Sequence, residues 1–377
     1  MRIHATQPDV ANTTMINVRA LLRLLLVIVL VIASAGPASA RRKKGHSPPP
    51  VVHKRSNAEI EAATKLQVFL DRANFSPGKL DGHYNDFTLK ALTVYRQSRG
   101  EPVAPRPSKA DTAPDLNGID LGSIDPVFIQ YTVTEADLQK VGPLPSAVRE
   151  KAKLKALLYR DVGEEIAEKF HCDEKFLGEL NPGKNGGALK PGDQVRVPNV
   201  EPFELDAVKD LKPGSEIAPE VANDIPDEPE QKPAPNREPA VAAKTSVKVD
   251  VKTNMLGVFD GDKIIAAYPV TVGSKQTATP IGEWKVRGVA KLPTFRYDER
   301  MLKHGERSKN FHILPPGPNN PVGVVWIALN KRGIGVHGTD DPNTIGQAVS
   351  HGCIRLANWD VVRLAGRVKA GVPVSVH

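Results

Sequence analysis

Apolar residues recur at helical spacing early in the chain. Leu66, Phe69 and Leu70 fall on one face of a helix, and a second helical period includes Leu92. An Asp-Gly pair between the two runs is typical of a turn. The pattern therefore predicts a small all-α module at 57–100.

Strand and helix patterns alternate in the next part of the chain. A strand is expected at 131–133 and a helix at 162–170. A second helix should follow Asp173, whose side chain suits an N-cap. A turn then leads into a closing strand at 195–198. This order predicts a small α+β module at 129–200.

Apolar and polar residues alternate in the last third of the chain. Val247, Val249 and Val251 are separated by polar residues, as in a strand with one buried face. The run 259–262, Phe-Asp-Gly-Asp, is typical of a hairpin turn. Further strands are predicted at 264–272, 283–286, 324–329, 333–337 and 372–376.

One late helix completes this region. It is predicted at 358–369, where apolar residues recur with a helical period. Asn358 is expected to cap it, and Gly371 follows its end. The region 244–377 is thus predicted to be mainly β with one helix.

Proline and acidic residues separate the three modules. Prolines interrupt the chain within 101–128, and the stretch 201–243 contains eight prolines and eleven acidic residues. Such a composition buries too little apolar surface to fold and favours an extended spacer. The chain of 377 residues is therefore expected to be multidomain, with linkers at 101–128 and 201–243.

The N-terminus has the features of an export signal. Arg23 precedes a largely apolar run at 24–35, and a small-residue A-x-A site ends at Ala40. We expect a cleaved signal peptide at 1–40, followed by a basic tail at 41–56. An uncleaved anchor is the alternative. Either one would place the modules in the periplasm or cell envelope.

Charge is strongly segregated, although the whole chain carries only +8. The tail 41–56 has six basic residues and no acid, the linker 201–243 has a net charge of −7, and 244–377 has +9. An exported chain does not meet nucleic acid, so no nucleic-acid partner is expected. Membrane contact is expected only through the signal or the tail, and the +9 suits an anionic partner.

A cysteine and a histidine carry the candidate chemistry. His337 follows a predicted strand, and Cys353 lies sixteen positions later in Ser-His-Gly-Cys-Ile-Arg-Leu. A nucleophilic thiol needs a base, a group that orients the base and donors for the oxyanion. Gly352 leaves the backbone beside the sulfur unobstructed, and the Arg355 cation lowers a thiol pKa and suits a substrate carboxylate.

Other interpretations of the two cysteines remain open on these residues. Cys172 is expected to be a buried small hydrophobe. Cys353 could be the same, or could form a disulfide with Cys172 in an oxidising compartment. His337, His351 and Cys353 are zinc-ligand types but lack a typical metal-site spacing. We expect no metal and no cofactor.

The region 245–377 resembles the YkuD-type L,D-transpeptidase catalytic domain. That family has H-G-[T/S] followed by [S/T]-H-G-C-[I/V]-R-[L/M], and 337–339 and 350–356 match both motifs. The upstream T-P-x-G motif is present at 279–282, and Gly273 closes a V-x-x-G strand. The resemblance implies a β-sandwich or barrel-like catalytic fold.

The same resemblance implies the roles of the site residues. Cys353 would be the nucleophile and His337 its general base, oriented by the backbone carbonyl of Gly338. Residues at the oxyanion hole and substrate pocket would include backbone N–H groups of Gly352 and Cys353, together with Ser350, His351 and Arg355.

The implied reaction is acyl transfer on peptidoglycan stem peptides. A Cys353 thioester would form with loss of the terminal D-alanine, and an amine on a neighbouring stem would resolve it into a 3→3 cross-link. Water or a lysine of an envelope protein could replace that amine, giving an L,D-carboxypeptidase or an anchoring enzyme. A non-catalytic wall-binding protein is the contrasting alternative.

Two further resemblances concern the N-terminal modules. Leu66-Gln67 and 80–84, Leu-Asp-Gly-His-Tyr, match motifs of the helical peptidoglycan-binding domain, although Asn85 replaces the family's usual glycine. The order of elements in 129–200 and its closing L-x-P-G-D-x-V-x-V-P resemble a LysM module with an insertion. A generic helical hairpin and an unrelated α+β spacer are the respective alternatives.

Overall fold

The computed structural model describes residues 55–219, except 103, 104, 106, 108 and 110, and residues 244–377. The predicted signal at 1–40, nearly all of the basic tail and the part of the acidic linker at 220–243 lie outside the described residues. No helix within the described part of the chain is both long and apolar enough to cross a membrane.

Hydrogen bonds of a buried glutamine connect the first helix of the first module to the turn before the second helix. Helices α1 (Asn57–Arg72) and α2 (Asp86–Ser98) flank the Asp-Gly turn. Gln67 is fully buried on α1, and its amide donates to Asp81 Oδ1 at 2.8 Å and accepts from the Gly82 N–H at 3.0 Å. The Leu-Gln and Asp-Gly motifs therefore form one hydrogen-bonded unit.

The second module has the predicted order of strand, two helices and strand. Its strands pair antiparallel, and the region between the first strand and the two main helices contains two short helices. The elements are β1 (Phe128–Thr132), α3 (Glu135–Leu138), α4 (Val148–Lys151), α5 (Val162–Lys169), α6 (Glu174–Leu180) and β2 (Gln194–Pro198). Asp173 caps α6 as expected, through Lys175 N–H and Phe176 N–H.

Parts of both predicted linkers pack against the folded modules. Ile124 and Val127 are buried in the core of the second module. Phe203 and Val208, the latter on the short helix α7 (Ala207–Asp210), are buried in the core of the C-terminal domain. The prediction of an extended spacer is therefore wrong over 201–219, because these apolar side chains find a sheet to cover.

The C-terminal domain is built on an eight-stranded mixed sheet. The sheet has the order β13-β11-β10-β7-β14-β3-β4-β5, and two two-stranded sheets, β12-β6 and β8-β9, lie beside it. The strands are β3 (Thr245–Asp250), β4 (Met255–Asp260), β5 (Lys263–Pro269), β6 (Val272–Gly273), β7 (Gly282–Lys291), β8 (Phe295–Tyr297), β9 (His312–Leu314), β10 (Val325–Leu329), β11 (Gly335–His337), β12 (Ala348–Ser350), β13 (Ile354–Arg355) and β14 (Pro373–Val376).

Two helices of this domain differ from the sequence prediction. A short helix, α8 (Glu299–His304), was not expected. The late helix α9 (Asn358–Ala365) ends before the predicted limit, and Asn358 is its first residue rather than its cap. The Asn358 side chain accepts instead from the backbone N–H of Val324, at 3.1 Å, which lies 34 residues away.

A buried ionic cluster joins all three modules into one compact unit from Arg55 to His377. Asp71 of α1 is fully buried and accepts from His171 of the second module and, through both oxygens, from Arg363 of α9 at 2.9 Å. The His171 ring also stacks on Trp359, with centroids 5.0 Å apart. Helix α9 therefore packs directly on both N-terminal modules.

Replacing Asp71 by alanine is expected to lower the free energy of unfolding by about 3–5 kcal/mol, because it removes the carboxylate that binds both terminal nitrogens of the partly buried Arg363 and leaves only Asp360, at 3.6 Å. Burial alone would raise the pKa of Asp71, but His171 and Arg363 hold it well below its usual range. This contribution should therefore be complete above about pH 4 and be lost as the pH falls further. Urea unfolding at neutral and acidic pH measures both effects, and equal stability of the two proteins at neutral pH would contradict them.

Candidate functional site

His337 and Cys353 reach the same cleft from two neighbouring strands. β11 pairs with β13 in parallel, so His337 lies opposite Arg355, and Cys353 directly precedes β13. On its other side His337 lies opposite Trp326 of β10. The residues that the sequence separates by sixteen positions thus line one cavity.

The His337 imidazole is held in one orientation. It is buried, its ring stacks on Trp326 at a centroid distance of 5.1 Å, and Nδ1 lies 2.6 Å from the backbone oxygen of Gly338. A carbonyl only accepts, so Nδ1 carries the proton and Nε2 is left as the basic nitrogen. This is the contact expected for Gly338.

Gly338 has a steric reason to be glycine. A Cβ at this position would overlap Asn358 Oδ1, and it would lie 3.1 Å from the Cα of Gly323. The peptide is also fixed by a hydrogen bond from its N–H to Val325 O at 3.1 Å. The carbonyl that orients His337 therefore belongs to a tightly packed backbone segment.

Burial keeps the Cys353 and His337 pair uncharged. It raises the pKa of the Cys353 thiol, outweighing the Gly335 N–H and the Arg355 charge, which both lower it. Burial, assisted by the Arg355 cation, lowers the pKa of His337 to about 3. At neutral pH the site thus holds a thiol beside a neutral imidazole, not a thiolate–imidazolium pair.

The rate of Cys353 alkylation by iodoacetamide should therefore still be rising between pH 6 and pH 9, because only the thiolate reacts and the raised pKa of the thiol keeps the thiolate a minor species at neutral pH. Peptide mapping at each pH measures the rate at Cys353. Cys172, which is fully buried, provides an unreactive internal reference. A rate that is already constant above about pH 5 would contradict a neutral pair.

Ser350 shapes the loop that carries the nucleophile. Its Oγ donates to Cys353 O at 2.6 Å and accepts from the Gly352 N–H at 3.2 Å. Gly352 has a φ of +110°, a conformation that disfavours any side chain. The Gly352 N–H, one of the two expected oxyanion donors, is therefore bound to the Ser350 hydroxyl in this conformation. The Cys353 N–H has no acceptor within the described residues.

The upstream motif braces this loop from the other side. The Gly273 N–H donates to Thr279 Oγ1 at 2.7 Å, and Thr277 Oγ1 donates to Ser350 O at 2.8 Å. A Cβ on Gly273 would overlap the 277–279 backbone. Thr279 of the T-P-x-G motif thus binds the backbone of Gly273, and the neighbouring Thr277 binds the loop that carries Cys353.

The cleft carries positive charge from Arg355. Its guanidinium forms no ion pair among the described residues, although its charge opposes the rise in pKa that burial causes at Asp340, and its Nε is buried without a hydrogen-bond acceptor. His351 also lines the cleft at the solvent-exposed rim, where partial burial and the Arg355 charge lower its pKa. These two side chains make one wall of the cleft suited to a carboxylate.

A segment that the sequence analysis missed covers the cleft. It runs from β8 through α8 to β9, and Asp298 organises it by accepting from Arg296, from the Met301 N–H and from the N–H and hydroxyl of Ser308. Its residues in the cleft are Phe295, Arg296, Asp298, Met301, Leu302, Gly305 and Arg307. Asp298 before a helix-favouring run that ends at Gly305 is the cap signal that could have revealed α8.

The described residues contain no group of three or more His, Cys, Asp or Glu side chains arranged to hold a metal ion. The zinc interpretation of His337, His351 and Cys353 therefore has no support in this geometry. Both cysteines are free thiols, which also removes the disulfide interpretation. Cys172 is buried in the core of the second module, as predicted.

Comparison with known proteins identifies the C-terminal domain. Residues 244–376 match the model of the YkuD L,D-transpeptidase catalytic domain. YqjB of Bacillus subtilis, named as an L,D-transpeptidase, is 32% identical over 135 residues, which cover 34% of this chain and 69% of that protein. YkuD of Bacillus licheniformis, also named as an L,D-transpeptidase, is 27% identical over 213 residues, covering 56% of this chain and 92% of that protein. The second alignment is longer than the catalytic domain, so it includes residues before it.

Among solved structures, L,D-transpeptidase 3 from Mycobacterium tuberculosis, in complex with a faropenem-derived adduct, aligns with a TM-score of 0.30 at 18% identity. The alignment covers 36% of this chain and 60% of that one, less than two thirds of its length.

Proposed function

Because the chain belongs to the L,D-transpeptidase family, we propose that it transfers acyl groups between peptidoglycan stem peptides through a thioester on Cys353. The observation that carries this proposal is the orientation of His337. Its protonated Nδ1 is bound to Gly338 O, so Nε2 is a free base in the cleft that Cys353 lines. A neutral imidazole is the form that can accept a thiol proton.

The first half-reaction forms the thioester. His337 Nε2 takes the Cys353 proton as Sγ attacks the carbonyl carbon of the third stem residue. The Cys353 N–H is the donor best suited to the developing oxyanion. The imidazolium then gives its proton to the amine of the departing D-alanine, and the C–N bond breaks as the thioester remains.

The second half-reaction resolves the thioester with an amine of a neighbouring stem. That amine loses a proton to His337, attacks the acyl carbon and displaces Cys353, which regains a proton as the thiol. The product is a 3→3 cross-link. With water as the acceptor the same intermediate gives an L,D-carboxypeptidase, and with a protein lysine it anchors an envelope protein.

Arg355 gives the site its preference for stem peptides. A cation that forms no direct ion pair within the described residues and lies in a partly buried cleft favours a carboxylate ligand, and stem peptides carry several carboxylates. We assign His351 to the rim of the same carboxylate site and Ser350 to the shape of the Cys353 loop. No cofactor takes part in these steps.

The N-terminal modules would keep the enzyme near its polymer. We propose that 57–100 and the LysM-like 129–200 contact peptidoglycan and that the protein acts in the periplasm or cell envelope. Holding both stems near the cleft raises their effective concentration, which is a large part of the rate of a two-substrate reaction.

Product analysis tests the reaction type. Tetrapeptide muropeptides are incubated with the full chain, and mass spectrometry follows loss of D-alanine and formation of dimers. Dimers linked 3→3 would support the transpeptidase, whereas tripeptides without dimers would favour the carboxypeptidase. No change in the muropeptides would overturn the proposal and favour a wall-binding protein without catalysis.

A further inference from the structure

The second module reaches the backbone that orients His337. Glu168, on α5, is buried, and its Oε1 accepts from Asn358 Nδ2 of helix α9 at 2.9 Å. The same oxygen accepts from the hydroxyl of Tyr159 at 3.1 Å. This contact joins residues 190 positions apart in two different modules.

Asn358 transmits the contact to the catalytic centre. Its side chain is buried, and Oδ1 accepts from the Val324 N–H at 3.1 Å. Oδ1 is packed so closely against Gly323 and Gly338 that a Cβ on either glycine would overlap it. The amide therefore supports the peptide whose carbonyl binds His337 Nδ1.

Glu168 fixes the orientation of the Asn358 side-chain amide. An amide nitrogen only donates, and a carboxyl oxygen is the acceptor it needs. Within the described residues, the only other hydrogen-bond acceptor of Asn358 Nδ2 is the Pro318 carbonyl oxygen, at 3.3 Å. Without Glu168 the amide would lose its better partner, and its oxygen would no longer be held against Gly338.

We propose that Glu168 is a positioning residue contributed by the second module, which holds Asn358, and through it the Gly338 carbonyl, in the geometry that orients His337. The inference rests on the proposed function, because it concerns the base of the same reaction. It means that docking of the second module is part of the assembled catalytic centre.

The chemistry of Glu168 suggests a conservative replacement. Burial raises its pKa to about 8, more than the hydrogen bonds from Asn358 and Tyr159 lower it, so at neutral pH it is mainly an uncharged acid. Glutamine has the same shape and keeps an acceptor oxygen. Methionine has a similar volume but offers no such acceptor.

Acylation of the full chain by imipenem, a compound found in complex with another L,D-transpeptidase, separates positioning from binding. Intact-protein mass spectrometry at increasing imipenem gives a maximal acylation rate and a half-saturating concentration for wild type, Glu168→Met, Glu168→Gln and Tyr159→Phe. Tyr159→Phe is the matched control, because it removes a hydrogen bond to Glu168 without touching Asn358. Thermal unfolding of each variant establishes the temperature at which all are folded.

We expect Glu168→Met to lower the maximal rate about ten- to a hundredfold, because a displacement of the base of about 1 Å has effects of this size. The half-saturating concentration should stay within about twofold. Glu168→Gln and Tyr159→Phe should both keep the wild-type maximal rate.

An unchanged maximal rate in folded Glu168→Met would overturn the inference while leaving the proposed function intact. A loss as large in Tyr159→Phe would overturn it too, because a general loosening of the interface would then explain both variants. If wild type itself is not acylated, the proposed function fails, and the inference fails with it.

Discussion

Replacing Cys353 by alanine is expected to lower the release of D-alanine from tetrapeptide muropeptides at least about a thousandfold. The sulfur of Cys353 is the atom proposed to form the thioester, so alanine at this position removes the nucleophile. The folded state should remain, because Cys353 is only partly buried and alanine fits the space. Release of D-alanine, measured with both proteins at one concentration, checks the loss.

Cys172→Ala is the matched control for the loss of a cysteine. Cys172 is buried in the second module, and burial raises its pKa well above the ordinary value for a thiol. It lines a different cavity from Cys353. The Cys172 variant should therefore keep the wild-type rate. If instead Cys353→Ala keeps the rate and Cys172→Ala loses it, the nucleophile has been misassigned.

Replacing His337 by glutamine is expected to lower the rate of acylation about a hundred- to ten-thousandfold at neutral pH. Glutamine can still hydrogen-bond to Gly338 O, but it has no basic nitrogen to take the thiol proton. The concentration of imipenem that half-saturates the reaction should change little, because the loss falls on a chemical step.

The acylation rates of wild type and of the His337→Gln variant should depend differently on pH. Because the pKa of His337 is lowered to about 3, its imidazole is neutral and basic throughout about pH 5–8, and the wild-type acylation rate should be flat there. The glutamine variant depends on spontaneous ionisation of the thiol, whose pKa is raised, so its rate should climb with pH. Parallel pH profiles for the two proteins would contradict the role of His337 as general base.

The elements that the sequence predicted well are those with a local cause. Alternation at Val247 and Val249 predicted β3, and strand and helix periods predicted the order of elements in the second module. His337, Gly338 and Cys353 belong to short motifs, so their neighbourhood could be recognised from the residues themselves. The structure adds that a sheet with β11 beside β13 brings them to one cleft.

The elements that were mispredicted have long-range causes. Asn358 has the residue type of a helix cap, but its side chain instead forms hydrogen bonds with Val324 and Glu168, which are distant in sequence. The stretch 201–219 has the composition of a spacer, yet Phe203 and Val208 are buried by a sheet that begins some 40 residues later. Neither of these long-range contacts can be predicted from a short window of sequence.

The two candidate oxyanion donors differ for a local reason. From sequence, the N–H groups of Gly352 and Cys353 are equivalent candidates. In the structure the Ser350 hydroxyl accepts from one of them and donates to the carbonyl of the next residue. The Ser350 side chain folds back on its own loop and binds the Gly352 N–H, while the Cys353 N–H stays unbound within the described part of the chain. Residue types alone do not specify this conformation of the loop.

The central claim is that Cys353 carries the stem peptide as a thioester, and trapping that intermediate tests it most directly. A tetrapeptide donor is mixed with the full chain without an amine acceptor, quenched in acid after a short time and digested, and the mass of the Cys353 peptide is measured. The account predicts an increase equal to the donor minus alanine on that peptide, absent when Cys353 is alanine. Release of D-alanine without any adduct on Cys353, or an adduct at another residue, would contradict it.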